Sequence, residues 1–285
     1  MGDAADAARR AGEYYLRLGA GGVSDVLIVD LTADGAMPVA EVIGLCESKL
    51  GTSDARRAVE GLLLDTLAVQ KALIGLFDES RALLELGRAR LLDVGDEVAV
   101  ATHWAWYSTY VAVLARDTGR AEAIGEPALE VAETRGDRSL ETFLRALLAD
   151  SAVIDGDHDR ALVLSDEARV TANPSDFSHA IAWRLPRARA LLGVGKPGEA
   201  ERLARELVAV VDEAPHHLLG RGQARTVHAE ALEALGDEGA AAAAAAEGVE
   251  LLEAKGATVL VDRARVRFAA LLGGEPGDRT PLGTS

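Results

Sequence analysis

The residues of this chain best suited to recognition chemistry are arginines at one repeated position. Arg145, Arg184 and Arg225 each stand 11 residues before a turn glycine (Gly156, Gly195, Gly236). Arg187 and Arg221 lie one helical turn away on the same segments, and His228 joins them. A guanidinium presents a planar fork of donors that matches carboxylate or phosphate. A row of them suits an acidic peptide, a C-terminal carboxylate or a nucleotide. Local pairing is the competing use, because Glu141 and Arg145 are spaced i,i+4. A second concentration is aromatic, His103-Trp104-Ala105-Trp106-Tyr107-Ser108-Thr109-Tyr110. Trp104, Tyr107 and Val111 share one helical face and Trp106, Tyr110 and Val113 another, the pattern of a helix packed between two neighbours. A Trp or Tyr that reaches a groove, with Tyr107 and Trp183 the candidates, would anchor a partner.

Catalytic patterns are missing from the sequence. Gly193-Val194-Gly195-Lys196-Pro197 superficially resembles a phosphate loop, but Pro197 stands where the hydroxyl residue is needed and no strand precedes it. His103, His158, His179, His216, His217 and His228 are scattered without zinc-ligand spacing. No Gly-x-Ser-x-Gly turn exposes a serine. Cys46 is the single cysteine and sits among Val42, Ile43 and Leu45, as a small buried hydrophobe would. The expectation is a chain that is not an enzyme and needs neither cofactor nor metal.

The elements that position these residues recur with a period of about 40. Turns beginning at Gly75, Gly119, Gly156, Gly195 and Gly236 each lead into a new helix. Aligning the small residues Ser80, Ala123, Ala161, Ala200 and Ala240 gives steps of 43, 38, 39 and 40, and a weaker copy starts at Gly35. Between the turns, apolar residues at i, i+3, i+4 and i+7 predict helices over 54–74, 77–94, 96–118, 120–135, 138–155, 158–172, 177–194, 197–213, 216–235, 237–255 and 257–272. Gly51, Gly95, Gly136 and Gly256 suit left-handed closure of the second helix of a unit, and the prolines of Asn173-Pro174 and Ala214-Pro215 stop two others. Residues 23–32 are rich in β-branched side chains, yet the repeat register asks for a helix there. Pro186 should kink its helix, and the alanines from Ala240 to Ala246 predict a thin outer helix. The fold expected is all-α, a right-handed α-solenoid of about six antiparallel helix pairs. Residues 1–35 would form a helical cap, 36–272 the array and 273–285 a disordered tail. First helices would line the concave face and carry the arginine ladder along it.

Composition narrows the function. With 30 Lys and Arg against 46 Asp and Glu, the formal charge of −16 repels phosphate backbones and argues against nucleic-acid binding. The basic residues are mostly Arg and the chain is rich in Gly and Ala, as in a GC-rich bacterial genome. No run of 18 apolar residues and no leader pattern occurs, so a cytoplasmic protein without membrane association is expected.

Several stretches resemble tetratricopeptide (TPR) repeats of bacterial signalling proteins: residues 38–47, Phe77-Asp78-Glu79-Ser80-Arg81-Ala82-Leu83, Trp183-Arg184 with Arg187-Ala188, Gly198-Glu199-Ala200-Glu201-Arg202-Leu203, and Leu251-Leu252-Glu253-Ala254-Lys255-Gly256 followed by Asp262-Arg263-Ala264-Arg265. More narrowly, they are similar to the C-terminal TPR region of bacterial regulators that carry a class III adenylate/guanylate cyclase or a STAND/LuxR-type ATPase upstream. The chain lacks the cyclase aspartates and the Walker motifs of such proteins. The resemblance implies a non-enzymatic interaction or effector-sensing module in signalling or transcriptional regulation. Its partner would be a protein or peptide, an acidic one suiting the arginines, and homo-oligomers are compatible with such a fold. The alternatives are the regulatory portion of a cyclase or ATPase whose catalytic domain is absent here, and a small-molecule sensor with a closed pocket.

Overall fold

The computed structural model describes residues 35–50 and 57–273. The expected cap over 1–35, the 23–32 segment, the Gly51 turn and the 273–285 tail lie outside those residues, Gly35 and Gly273 apart. Among the described residues there are twelve helices and no strand. They are α1 (Val39–Leu50), α2 (Arg57–Leu73), α3 (Phe77–Asp93), α4, α5 (Thr118–Arg135), α6 (Arg138–Asp155), α7 (His158–Thr171), α8 (Phe177–Gly193), α9 (Pro197–Asp212), α10 (Leu218–Ala234), α11 (Glu238–Lys255) and α12 (Thr258–Arg267). Helix α4 starts as Glu97–Ala99, passes through a π-helical segment Val100–Trp104 and continues as Ala105–Ala115.

Turn chemistry sets the boundaries. Asp117, Asp137, Asp157 and Asp237 each accept from the backbone N–H three residues on, at 3.0–3.2 Å, which satisfies a free donor at the start of α5, α6, α7 and α11. The preceding helix closes through a left-handed residue. Gly156 donates to the Val153 carbonyl and Asp157 to that of Ala152, the paired bonds of a Schellman ending. This left-handed slot is filled by Gly75, Arg116, Gly156, Gly195 and Gly236, with φ of 85, 59, 80, 74 and 81°.

The register therefore differs from the one expected. Gly119 lies inside α5, and the slot assigned to it belongs to Arg116. Counted from the left-handed residue, the small residue of each turn is Ser80, Ala121, Ala161, Ala200 or Ala241, and all five are fully buried. Ala123 is exposed and Ala240 only half-buried. The steps become 41, 40, 39 and 41. Pro186 does not end α8, and Pro127 sits inside α5 in the same way. The run Ala240–Ala246 lies within α11, with Ala241 and Ala245 buried.

Helices α2, α4, α6, α8 and α10 pack side by side as an inner layer of the right-handed solenoid, and α3, α5, α7, α9 and α11 form the outer one. Helix α12 comes back to touch α2. Val39 of α1, Leu73 of α2, Val111 of α4, Leu252 of α11, and Val261 and Phe268 beyond it share one core. Lys255, fully buried, donates its ammonium to the carbonyls of Gly35 and Met37 at 3.0 and 2.7 Å. Arg263 of α12 donates to the Leu114 carbonyl at the end of α4. The superhelix thus closes on itself around the space along its inner layer.

Candidate functional site

The arginines at the repeated position sit in the seam between layers. Arg145 donates to Glu141 (2.7 Å) and to Glu133 of α5 (2.6 Å), and its Nε lies 3.4 Å from Glu167 of α7. Arg225 donates to both oxygens of Asp212 in α9 (2.8 and 3.0 Å) and lies 3.0 Å from Glu247 of α11. Each is held between the outer helix before it and the outer helix after it. Burial alone would lower the pKa of Arg225, but its bonds to Glu247 and Asp212 outweigh that and raise it. Arg221 lies 3.5 Å from Asp212 and donates to the Pro215 carbonyl; Arg187 lies 3.0 Å from Asp166. His228 lies 3.5 Å from Glu201. Trp183 is buried beneath the Arg184 guanidinium, 4.2 Å from its ring centroid. None of these seven side chains lines the inner cavity, whereas Tyr107 does. Local pairing, the competing use of Arg145 with Glu141, is the arrangement found.

That cavity has a volume of about 210 Å³ and draws on all five inner helices. The π segment of α4 rephases the turns after it, and Trp106, Tyr107 and Tyr110 line the cavity with Phe143 of α6. Trp106 stacks on Phe143 at 5.1 Å and meets Tyr107 edge-on at 4.8 Å. His103, at the end of that segment, stacks on Tyr107 and reaches Asp65 of α2 at 3.1 Å, while the Trp104 indole donates to the Leu84 carbonyl. Gln70 is 3 % exposed, lines the same space, and its Oε1 accepts no hydrogen bond from the described residues.

Among the described residues, Asp150 is the one Asp, Glu, Lys or Arg in the lining. Burial pushes its pKa up to about 6, with Glu230 adding to the rise and Arg189 opposing it. Arg189 lies 3.9 Å from Asp150 and 3.3 Å from Glu230. Asp150, Arg189 and Glu230 all stand six residues before the left-handed residue of their turns, with Tyr110 and Val69 at that position in the first two units. The inner layer therefore carries a charged row of its own, five residues on from the arginine ladder. Its three members can be counted in the sequence, six residues before Gly156, Gly195 and Gly236, but spacing alone does not say which side of a helix they take.

His217 also lines the cavity. Burial pushes its pKa down to about 4, against its own backbone hydrogen bond and helped by Lys255 and His216. Its Nδ1 accepts from the Gly220 N–H, capping α10, so the ring proton sits on Nε2. That tautomer has no free nitrogen to take a proton from Ser178, the hydroxyl on α8 that shares the lining. Among the described residues no ion pair joins His217 to Asp150, and no group of three or more His, Cys, Asp or Glu is placed to hold a metal. No described helix is long and apolar enough to cross a membrane.

The architecture has a counterpart among solved structures. A crystal structure of Rap protein complexed with competence and sporulation factor superposes with a TM-score of 0.71 over 94% of this chain and 77% of that one, at 16% identity. The chain has a TPR-like helical repeat fold. No family model matches the sequence, and no curated protein matches it.

Proposed function

We propose that the chain is a non-enzymatic TPR-type binding module whose inner cavity takes a basic side chain of a partner peptide. The observation that carries this is the pairing of an aromatic wall with a single carboxylate. Trp106, Tyr107, Tyr110 and Phe143 present ring surfaces, Asp150 supplies the negative charge, and among the described residues the lining holds no Lys or Arg. Aromatic faces attract ammonium and guanidinium groups, by roughly 2 kcal/mol or more when water is excluded. The unpartnered Gln70 carbonyl can accept from the same group or from peptide backbone. A formal charge of −16 steers cations toward the molecule. The Rap protein that shares the fold was solved with competence and sporulation factor, which supports a ligand-holding use of such an array. The resemblance of the repeat motifs supports a setting in bacterial signalling or transcriptional regulation, with the regulatory portion of a cyclase or ATPase as one such setting.

Blocked tripeptides differing only in a central Arg, norleucine or Glu, titrated calorimetrically, test the reading. The Arg peptide should bind at least tenfold more tightly than the others, and Asp150→Asn should erase the preference. Because Asp150 must be ionised to pair, affinity for the Arg peptide should rise as pH increases through about 6. Equal binding of the norleucine peptide, or a preference that survives the substitution, would remove Asp150 from the site. Closure of the ring favours a second reading, a sensor for a small free cation, which the same titration with agmatine (decarboxylated arginine) distinguishes by binding without any peptide backbone.

A further inference from the structure

The three rungs of the arginine ladder are not equivalent. Arg145 and Arg225 each meet a carboxylate 12 or 13 residues upstream, Glu133 or Asp212, and another 22 residues downstream, Glu167 or Glu247. For Arg184 the upstream positions hold Ala172 and Thr171. The downstream acid, Glu206, acts on Arg184 only through space, and no carboxylate lies within 4.0 Å of it among the described residues. Its one acceptor is the Ala180 carbonyl of its own helix at 3.1 Å, and its buried Nε has none.

The cause is local. Helix α7 stops at Thr171 after 14 residues, whereas α5, α9 and α11 run for 18, 16 and 18. Ala172 has already left the helix, with ψ of 136°. The chain then turns through Asn173, Pro174 and Ser175, pinned by His179, whose Nδ1 accepts from the Asn173 N–H and whose Nε2 meets Ser139 at 2.9 Å. The last turn of an outer helix, which supplies the acid in the neighbouring units, is missing here. Burial lowers the pKa of Arg184, the reverse of the shift at Arg225. Its guanidinium rests on the Trp183 ring, which fixes its plane and leaves its N–H edge for an incoming group.

We propose that Arg184 is a docking point for an acidic segment of a partner protein, whose carboxylate takes the place that Glu133 and Asp212 occupy in the adjacent units. The site lies on the seam between layers and is separate from the inner cavity. A planar guanidinium with free donors matches a carboxylate in a bidentate way, as the Arg225–Asp212 pair already does in this protein. The acidic surface of the chain does not forbid this, because at physiological salt its field decays within about 8 Å while a direct pair is screened far less.

The test uses the whole chain and blocked hexaglutamate as probe, with binding followed calorimetrically at 50 and 150 mM salt. Wild type should bind, more weakly at the higher salt. Arg184→Gln should weaken binding at least tenfold. Ala172→Glu, which supplies the missing carboxylate from within, should weaken it comparably and make the protein melt higher than wild type. Binding by Ala172→Glu or Arg184→Gln equal to that of wild type overturns the proposal, as does the absence of hexaglutamate binding to wild type. The Arg-tripeptide titration should be unaffected by either substitution, so the cavity and the seam are tested separately.

Discussion

The seam and the inner wall are built from the same helices, yet they use charge in opposite ways. In the seam, Arg145 and Arg225 repeat one arrangement, an arginine clamped by acids from both flanking outer helices. On the inner wall, one position runs Val69, Tyr110, Asp150, Arg189 and Glu230, with no two units alike. Burial there leaves Asp150 short of compensating charge, so its pKa rises. Regular repetition marks what each unit needs to hold its neighbour. Departure from it marks what only one place in the array can do, and Arg184 is the departure within the seam itself.

The sharpest way to break this comparison is to remove the arginines one at a time. Arg225→Ala strands three acid oxygens that the guanidinium now holds, and should cost about 2 kcal/mol, less than a fully buried pair because Asp212 and Glu247 remain half-exposed to water. Arg184→Ala removes no ion pair and should cost well under ~1 kcal/mol, both losses being read by urea titration. Equal losses would mean that the two rungs are alike and that the clamp explains nothing.

The pH dependence of stability probes the wall. A carboxyl whose folded pKa is raised above its ordinary 3.8 loses stabilising protonation as pH rises from about 4 to 6. A histidine whose folded pKa is lowered to about 4 does the reverse, because the unfolded chain takes up its proton first as pH falls from 6.5. Asp150 and His217 therefore oppose each other between pH 4 and 6. Asp150→Asn should make melting temperature climb more steeply with pH across that window, and His217→Asn, which keeps a capping side chain, should flatten or invert the climb. Unchanged slopes would mean that neither group is as dry as its position implies.

The smallest effect concerns Arg116. A left-handed non-glycine residue costs roughly 1 kcal/mol, so Arg116→Gly should stabilise the protein slightly and bring the second unit into line with the rest. A loss of stability would show that the arginine side chain itself matters at that turn.

This same residue explains how far the sequence could be read. Helix positions were legible because capping aspartates and left-handed glycines act locally. At the second unit glycine is a misleading marker, because Gly119 lies three residues past the slot that Arg116 fills. The aspartates Asp117, Asp157 and Asp237, one residue past that slot, mark the true phase. The wall residues Asp150, Arg189 and Glu230 keep their spacing to Gly156, Gly195 and Gly236 whichever residue marks the second unit, and only Tyr110 falls out of line there. The ladder arginines were found by spacing, but spacing alone does not say which side of a helix faces the groove and which faces the outer layer. Contact between Lys255 and residues 35 and 37 is out of reach of any local pattern, being more than 200 positions apart.

That last contact limits how the molecule can vary. An open solenoid can gain or lose a repeat and merely become longer or shorter. Here one end must arrive at the other at the angle and height that let a buried ammonium meet two carbonyls. An added unit would carry α12 past α2, and a deleted one would leave it short. Closure makes the number of repeats a geometric constant of this protein, in the way that a gear fixes its count of teeth.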